Sequence, residues 1–223
     1  MGMEWLMGIQ NKDGGIPTFC RGWGKLPFDC SCPDITAHAL RAFLAWKDEI
    51  RPDSLKKIDR SINRFITYLN STQQANGSWL PLWFGNEKDG KHKNPVYGTA
   101  LVLCGLVEAN QYGFTELKSR INDGVVFLEA VQNSDGGWGG NAGVESSVEE
   151  TSLALRALSL CERRQAAEKG VKWLISYFEA LGEQPVPATP IGLYFASLWY
   201  FEQMYPLTFA CAALHQVKQM AND

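Results

Sequence analysis

Five residues in the first part of the chain have side chains of the types that bind zinc. They are Asp29, Cys30, Cys32, Asp34 and His38, and carboxylate, thiolate and imidazole groups all serve as zinc ligands. Their spacing argues against zinc, because Cys30 and Cys32 are one residue apart and no second cysteine pair accompanies them. We therefore predict no metal and no cofactor. His38 lies on an apolar segment, where either a hydrogen-bonded core histidine or a catalytic group fits.

A second group of chemically competent residues is the acidic cluster Glu145, Glu149 and Glu150. Its simplest interpretation is structural, since carboxylates at the start of a helix interact favourably with the helix dipole. The sequence contains no glycine-rich phosphate loop, nucleophile elbow or nucleotide-binding fingerprint. Nucleotide and serine-hydrolase chemistry are therefore not expected.

The elements that would position these residues are marked by a repeated turn. In its best copy, residues 127–138, apolar residues at helical spacing are followed by Asn-Ser-Asp-Gly-Gly and then Trp138. Glycine can adopt the left-handed backbone that ends a helix. Weaker copies run from Gln73 to Trp79 and from Gln10 to Ile16, where isoleucine replaces tryptophan. We interpret Trp79 and Trp138 as structural residues that hold the repeats together.

Between the turns lie two kinds of predicted helix. Small-residue-rich segments that are apolar on more than one face occupy residues 34–44, 97–106, 149–158 and, more loosely, 190–200. Asp34 is suited to cap the first of them. Segments with a clear polar face occupy residues 55–69, 116–131 and 163–181. The pattern predicts inner and outer helices that alternate along the chain.

This alternation predicts an all-α fold. One inner and one outer helix for every 50 to 60 residues, roughly, indicates stacked helical hairpins, which bury jointly the faces that none could bury alone. The closed form of such a stack is an (α/α) toroid or barrel. Strand signals are weak throughout, so we predict one toroid domain over residues 1–223 with four visible inner helices.

Composition narrows the class of protein further. The chain has 223 residues, 45% of them hydrophobic and 20% charged, with a net charge of -3 and a pI near 5.7. No basic stripe is present, so we expect no nucleic-acid partner. No apolar run reaches the roughly 18 residues of a membrane span. Six isolated cysteines fit reduced thiols and a cytoplasmic location.

The turns and several other segments together resemble the C-terminal part of the squalene-hopene cyclases, a group related to the oxidosqualene cyclases. The similarity covers essentially the whole chain. In chain order, the matching residues are Phe19-Cys20, Asp34 to His38, Asn76-Gly77-Ser78-Trp79 with Trp83, Tyr97-Gly98-Thr99, Gln132 to Trp138, and Tyr205-Pro206 with Phe209 and Ala212 to Leu214.

The resemblance implies an isomerase of the intramolecular transferase type, which protonates a linear C30 polyene in a buried aromatic cavity and guides the resulting carbocations. Three residues match positions that handle the proton. His38 corresponds to the histidine that supports the protonating aspartate, Asp34 to an acidic neighbour, and Tyr97 to a tyrosine of the reprotonation network. The implied substrate-binding residues are Trp83 in the cavity, Phe19 and Cys20 at the channel constriction, and the cation-stabilising aromatics Tyr194 and Phe201.

Departures from the family pattern qualify this expectation. The acidic Asp-x-Asp-Asp motif that protonates the polyene is absent from the 223 residues, and in the family it precedes the segment resembling residues 3–15. We therefore expect the chain to be inactive alone. Leu198 and Pro190 also stand where the family has aromatic residues.

The expected partners follow from the same comparison. We expect a hydrophobic isoprenoid or lipid ligand and peripheral contact with one membrane leaflet, for which the 19–28 loop with Trp23 and Leu26 is the best candidate. The family barrel has six inner helices, so four would leave apolar faces exposed and open to self-association. The alternatives to a cyclase part are a non-catalytic isoprenoid- or lipid-binding module and a protein-interaction scaffold.

Overall fold

The fold is known from a computed structural model that describes residues 2–18, 29–49, 52–193 and 198–222. Helices dominate these ranges, as predicted. The eight α-helices found there are α1 (Gly2–Ile9), α2 (Pro33–Trp46), α3 (Pro52–Thr72), α4 (Pro95–Gln111), α5 (Lys118–Ala130), α6 (Val148–Leu160), α7 (Arg164–Leu181) and α8 (Met204–Asn222).

The helices form two layers. The inner helices α2, α4, α6 and α8 pack side by side in chain order, and the outer helices α3, α5 and α7 pack on α2, α4 and α6 respectively. This arrangement confirms the predicted stack of helical hairpins and all three predicted outer helices. Across the described ranges, α2 and α8 share no extensive contact, so the inner layer is an open arc.

The fourth inner helix was predicted in the wrong place. Residues 190–200 do not form a helix, because strands β3 (Thr189–Leu193) and β4 (Leu198–Glu202) pair there as an antiparallel hairpin. Pro190 and Gly192 are poor helix formers, and the aromatic residues of this segment favour strands. The fourth inner helix is α8 instead. A second small pair joins β1 (Ile16–Pro17) to β2 (Ser31–Cys32), also antiparallel.

Burial explains why each layer has its composition. α4 has no charged residue from Pro95 to Val107, and every side chain in that stretch is buried. α3 is amphipathic instead, with Ile58, Ile62, Phe65 and Leu69 buried at helical spacing. Phe65 meets Phe43 of α2 edge-to-face, with ring centroids 5.1 Å apart. Contacts of this kind join the outer layer to the inner one.

The repeated turns connect neighbouring hairpins through the same pair of hydrogen bonds, which recurs at each turn. Gln73 follows α3, and its Nε2 donates to the carbonyl of Gly77 (2.9 Å) in its own turn and to the carbonyl of Arg120 (3.0 Å) on α5. The same bonds run from Gln10 to the carbonyls of Gly14 and Ser61, and from Gln132 to those of Gly136 and Ala166. Each glutamine thus attaches its turn to the next outer helix.

The residue after each turn is fixed to the next inner helix. The Trp79 amide donates to Thr99 Oγ1 (3.0 Å) on α4, while its indole Nε1 donates to the Leu69 carbonyl (2.7 Å) on α3. Trp138 makes the equivalent bonds to Thr151 and Leu128, and the Ile16 amide donates to Thr36. The structural interpretation of Trp79 and Trp138 is thereby confirmed, and each threonine receives a specific role.

Candidate functional site

The candidate acid Asp34 is buried in the first turn of α2 and paired with a thiol. Its side chain is 1% exposed, and Cys32 Sγ donates to Asp34 Oδ1 over 2.6 Å. The backbone amide of Leu82 in turn donates to Cys32 Sγ (3.1 Å). The N-cap of α2 is Cys32, so the expectation that Asp34 caps this helix is wrong. Sequence reasoning did not anticipate the thiol partner, although the two-residue spacing was available as a signal.

Burial controls the acidity of this pair. Desolvation raises the pKa of Asp34, opposed by the hydrogen bonds from Cys32 and from nearby backbone amides. Desolvation, followed by the charge of Asp34, raises the pKa of Cys32. A carboxyl group with a raised pKa is a weaker acid than an ordinary aspartic acid. Asp34 is therefore poorly suited to protonate a carbon–carbon double bond directly.

His38 lies one turn after Asp34 on α2, and its side chain is accessible to solvent. Among the described residues the imidazole has no hydrogen-bond partner, so His38 is not the hydrogen-bonded core histidine that its apolar neighbours allowed. Protein atoms still surround enough of the ring to lower its pKa by desolvation, and Arg41 and Arg156 lower that pKa further. The neutral imidazole is therefore favoured, and no hydrogen bond joins it to Asp34.

Tyr97 belongs to a small aromatic group at the start of α4. Its side chain is buried and stacks on Phe84, with ring centroids 4.7 Å apart. Trp83, the residue before Phe84 in the sequence, is also buried. Burial raises the pKa of Tyr97, and the negative charges of Asp34 and Glu149 add to this effect. The structure therefore brings Tyr97 within electrostatic range of Asp34. Phe84 was not anticipated from the sequence.

The remaining predicted site residues have separate locations. Phe201 on β4 is 63% exposed, and it borders a cavity of about 280 Å³ near the start of α6. Phe19, Cys20 and Tyr194 lie outside the described residues, as does the loop proposed for membrane contact. The structure thus places Tyr97 where the charge of Asp34 affects it, whereas no hydrogen bond in the described ranges joins His38 to either residue.

The cavity beside Phe201 contains the acidic cluster. Glu150 of this cluster has the structural role that the sequence suggested, because it follows the N-cap Ser147 in the first turn of α6. Its carboxylate accepts hydrogen bonds from Asn86 Nδ2 (3.0 Å), Asn94 Nδ2 (2.8 Å) and the Ser147 hydroxyl. Glu149, which faces the cavity, has no such partner in the described ranges. In the sequence, the one feature that drew attention to Glu149 was its position next to Glu150.

Two further observations concern metals and membranes. In the described ranges, no three His, Cys, Asp or Glu side chains are grouped closely enough to hold a metal ion. Cys32, Cys104, Cys161 and Cys211 are free thiols. None of the described helices combines the length and apolar character needed to cross a bilayer.

Comparison with known sequences gives consistent matches. The model of the squalene-hopene cyclase C-terminal domain matches residues 1–219. The terpene cyclase-glycosyl transferase fusion protein fsoA of Humicola fuscoatra is 32% identical over 206 residues, which span 79% of this chain and 15% of that protein. The squalene–hopene cyclase of Bradyrhizobium diazoefficiens is 28% identical over 92% of this chain and 33% of its own length. The chain thus spans a third or less of these relatives.

Solved structures show the same fold at low identity. An ent-copalyl diphosphate synthase from Streptomyces platensis superposes with a TM-score of 0.68 at 20% identity, covering 98% of this chain and 37% of that one. The type II terpene cyclase MstE from Scytonema gives 0.64 at 15% identity, covering 96% and 66%. A heparin-specific unsaturated glucuronyl hydrolase gives 0.66 at 12% identity, covering 100% and 68%, so the toroid alone does not specify a reaction.

The glutamine-anchored turns, the alternating inner and outer helices and a family match over residues 1–219 agree with one another. This chain belongs to the squalene-hopene cyclase C-terminal domain family.

Proposed function

We propose that this chain forms one wall of a polyprenyl-binding cavity in a triterpene cyclase and does not start cyclisation by itself. The family match over residues 1–219 supports this proposal most directly. The buried residues Asp34, Tyr97 and Trp83 and the partly buried Phe84 are chemically compatible with it, because aromatic faces can stabilise carbocations and carboxyl and phenol groups can transfer protons.

The expected inactivity follows from the strength of acid that the reaction requires. Protonating an alkene needs a strong and correctly positioned acid, whereas burial raises the pKa of Asp34. The sequence contains no Asp-x-Asp-Asp motif to supply another acid. In this proposal Asp34 and Tyr97 are positioning residues that act on an acid held elsewhere.

Incubating the purified chain with squalene and analysing the extract by gas chromatography and mass spectrometry tests the catalytic half of the proposal. We expect no polycyclic product, with the Bradyrhizobium squalene–hopene cyclase as the positive control. Formation of hopene or another polycycle by the chain alone would refute it.

A binding measurement tests the second half of the proposal, that the chain forms one wall of a polyprenyl-binding cavity. Geranylgeraniol titrated into the chain should quench tryptophan fluorescence, and Trp83→Phe should weaken binding by about three- to tenfold through loss of aromatic contact. Trp46→Phe is the matched control, because Trp46 is 60% exposed at the end of α2. Equal affinities in the two variants would argue against a cavity at Trp83.

A protein-interaction module is the second candidate function. One observation favours it: α8 carries exposed apolar side chains at Met204, Leu207 and Leu214 along one side, and exposed apolar stripes of this kind commonly mark contact surfaces. Self-association through this side of α8 would cover them.

We also propose peripheral membrane contact through the loop containing Trp23 and Leu26, which rests on the family resemblance. The double variant Trp23→Ala, Leu26→Ala should sediment less with anionic liposomes than the unmodified chain. Equal sedimentation would exclude this loop.

A further inference from the structure

Glu149 is a buried acidic side chain that the cyclase proposal does not use. Its side chain is 4% exposed at the start of α6, and it lines the 280 Å³ cavity. Within the described ranges its carboxyl group has no hydrogen-bond partner, whereas the adjacent Glu150 accepts from Asn86, Asn94 and Ser147. No donor in the described part of the chain serves this largely buried carboxyl group, so its hydrogen bonds depend on what occupies the cavity.

The charge balance of the cavity favours a cation. Lys88 is the one basic residue of the described lining, and its Nζ is already paired with Glu145 Oε2 at 2.7 Å. The carboxyl groups of Glu87, Glu149 and Glu150 face the cavity without an opposing positive charge. An anionic ligand would be repelled here, whereas a cation would be attracted.

The aromatic residues of the lining indicate which kind of cation fits the cavity. Tyr177 of α7 and Phe201 of β4 border the same space as Glu149, together with Pro206 of α8. Aromatic faces attract organic cations and pack against alkyl groups. An ammonium group with N–H donors would satisfy the Glu149 oxygens, which a quaternary ammonium group could not do.

We propose that this cavity binds a protonated primary amine, whose ammonium group donates to Glu149 and whose alkyl part lies against Tyr177 and Phe201. A cavity of about 280 Å³ accommodates a small amine. The charge of Glu149 acts on Tyr97, so this site adjoins the aromatic group of the proposed function. Its test uses no polyene, so this proposal can fail while the proposed function holds.

Binding of such an amine is coupled to proton release. Burial, and then the charge of Glu150, raises the pKa of Glu149, so this carboxyl holds its proton to a higher pH than an ordinary glutamate does. The ammonium group reverses this preference, and the carboxyl proton leaves for solvent as the ion pair forms. The titratable groups that face Glu149 from its own helix and from neighbouring segments are Glu150, Tyr97, Glu87, Lys88, Glu145 and Tyr177.

Isothermal titration calorimetry with n-butylammonium tests the proposal directly. Repeating the titration at pH 7 in two buffers with different ionisation enthalpies measures the proton released on binding. We expect saturable binding with net proton release, at least tenfold weaker binding in Glu149→Gln with no proton release, and binding within threefold of the unmodified chain in Glu168→Gln. Glu168 is the matched control because it is exposed on α7 and lies outside the cavity lining.

Three outcomes would overturn the proposal. They are absence of binding by the unmodified chain, equal binding of n-butylammonium and n-butanol, and equal binding by Glu149→Gln and the unmodified chain. If Glu149→Gln does not fold, two measurements on the unmodified chain still test the proposal. They are the proton release on binding n-butylammonium and the comparison of its affinity with that of n-butanol.

Discussion

Two adjacent glutamates at the start of α6 have opposite environments. Glu150 accepts hydrogen bonds from two asparagine side chains and the Ser147 hydroxyl, whereas Glu149 is equally buried and has no partner among the described residues. Because neighbouring helix positions point in different directions, one residue step separates a satisfied carboxylate from an unsatisfied one. The difference should be measurable as a pH dependence of folding.

Replacing Glu149 by glutamine should change how stability depends on pH. The folded-state pKa of Glu149 lies above its ordinary value of 4.5, so the unfolded chain loses this proton first as the pH rises. The stabilising contribution is complete below about pH 4.5 and is lost as the pH rises toward the folded-state pKa. Between pH 5 and 7, the free energy of unfolding of the unmodified chain should therefore fall relative to Glu149→Gln by up to about 1.4 kcal/mol per pH unit.

Urea denaturation at pH 5, 6 and 7 measures this difference. Glu145→Gln should run parallel to the unmodified chain, because the ion pair with Lys88 lowers the pKa of Glu145 and this exposed residue stays ionised across the range. Parallel curves for Glu149→Gln and the unmodified chain would contradict the raised pKa.

The glutamine bonds of the turns permit a second test at a single residue. Gln73→Ala removes both donated bonds, to Gly77 and Arg120, together with the bond accepted from the Arg120 guanidinium (3.2 Å). We expect a loss of about 1 to 3 kcal/mol in the free energy of unfolding. Gln74→Ala is the matched control, since the next residue makes only a 3.5 Å contact at its side chain. Similar losses in both variants would mean that the bonds of Gln73 contribute little.

The elements of the fold were more predictable than the site. Repeated turns and helix periodicity located three inner and three outer helices correctly, because burial on one face or on several faces leaves a pattern in the sequence. The segment at 190–200 was misassigned because a short apolar run with aromatic residues fits a strand as well as a helix. Its pairing of Pro190 with Phe201 depends on contacts between strands, which helical spacing does not reveal.

The site depended on contacts between distant segments. The family resemblance implied that Asp34 and His38 belong to one proton-handling cluster, yet Asp34 is bonded to Cys32, which precedes the helix. Similarly, Phe84 meets Tyr97 from a loop, and Asn86 reaches Glu150 from the same loop. Such pairings arise only when loops fold back on helices, so spacing within one helix could not predict them.

At the element scale, the close approach of each turn to the next outer helix depends on glycine. Gly77 has a φ of +88°, and a β-carbon at this position would lie 2.2 Å from the carbonyl oxygen of Asp123 on α5. Gly77→Ala should therefore strain the backbone and push the turn away from α5, with a loss of more than about 2 kcal/mol in the free energy of unfolding.

Gly143→Ala is the matched control for that measurement. Gly143 also has a positive φ, +72°, but a β-carbon there meets open space. Gly143→Ala should therefore lower the free energy of unfolding by about 1 to 2 kcal/mol, through backbone strain alone. Chemical denaturation of both variants separates strain from collision, and equal losses would show that the contact with α5 is dispensable.

At the scale of the whole molecule, the inner layer is an arc whose last helix is covered on one side. Ala210, Ala213 and Met220 of α8 pack toward α6 and α7, while Leu207 and Leu214 remain about 40% exposed. An apolar edge of this kind lowers the free energy of association when it is covered. We therefore expect the purified chain to associate with itself through α8.

The double variant Leu207→Glu, Leu214→Glu should reduce this association. Sedimentation velocity over a hundredfold concentration range should show a larger average mass for the unmodified chain and a monomer for the variant. Val126→Glu is the matched control, because Val126 is 52% exposed on the outer helix α5 and should not alter association. A concentration-independent monomer for the unmodified chain would exclude the interaction-module alternative.

The glutamine bonds between neighbouring hairpins also bear on how such a chain can vary in length. At all three turns both acceptors are main-chain oxygens, so the glutamine bonds do not depend on the side chains of the next outer helix. The one side chain that the described junctions require from the following hairpin is the threonine of its inner helix. A hairpin that keeps this threonine is therefore exchangeable: it can be duplicated, deleted or replaced by a divergent copy while its junctions keep the same bonds. Such freedom suits a scaffold that serves cyclases and a glucuronyl hydrolase alike.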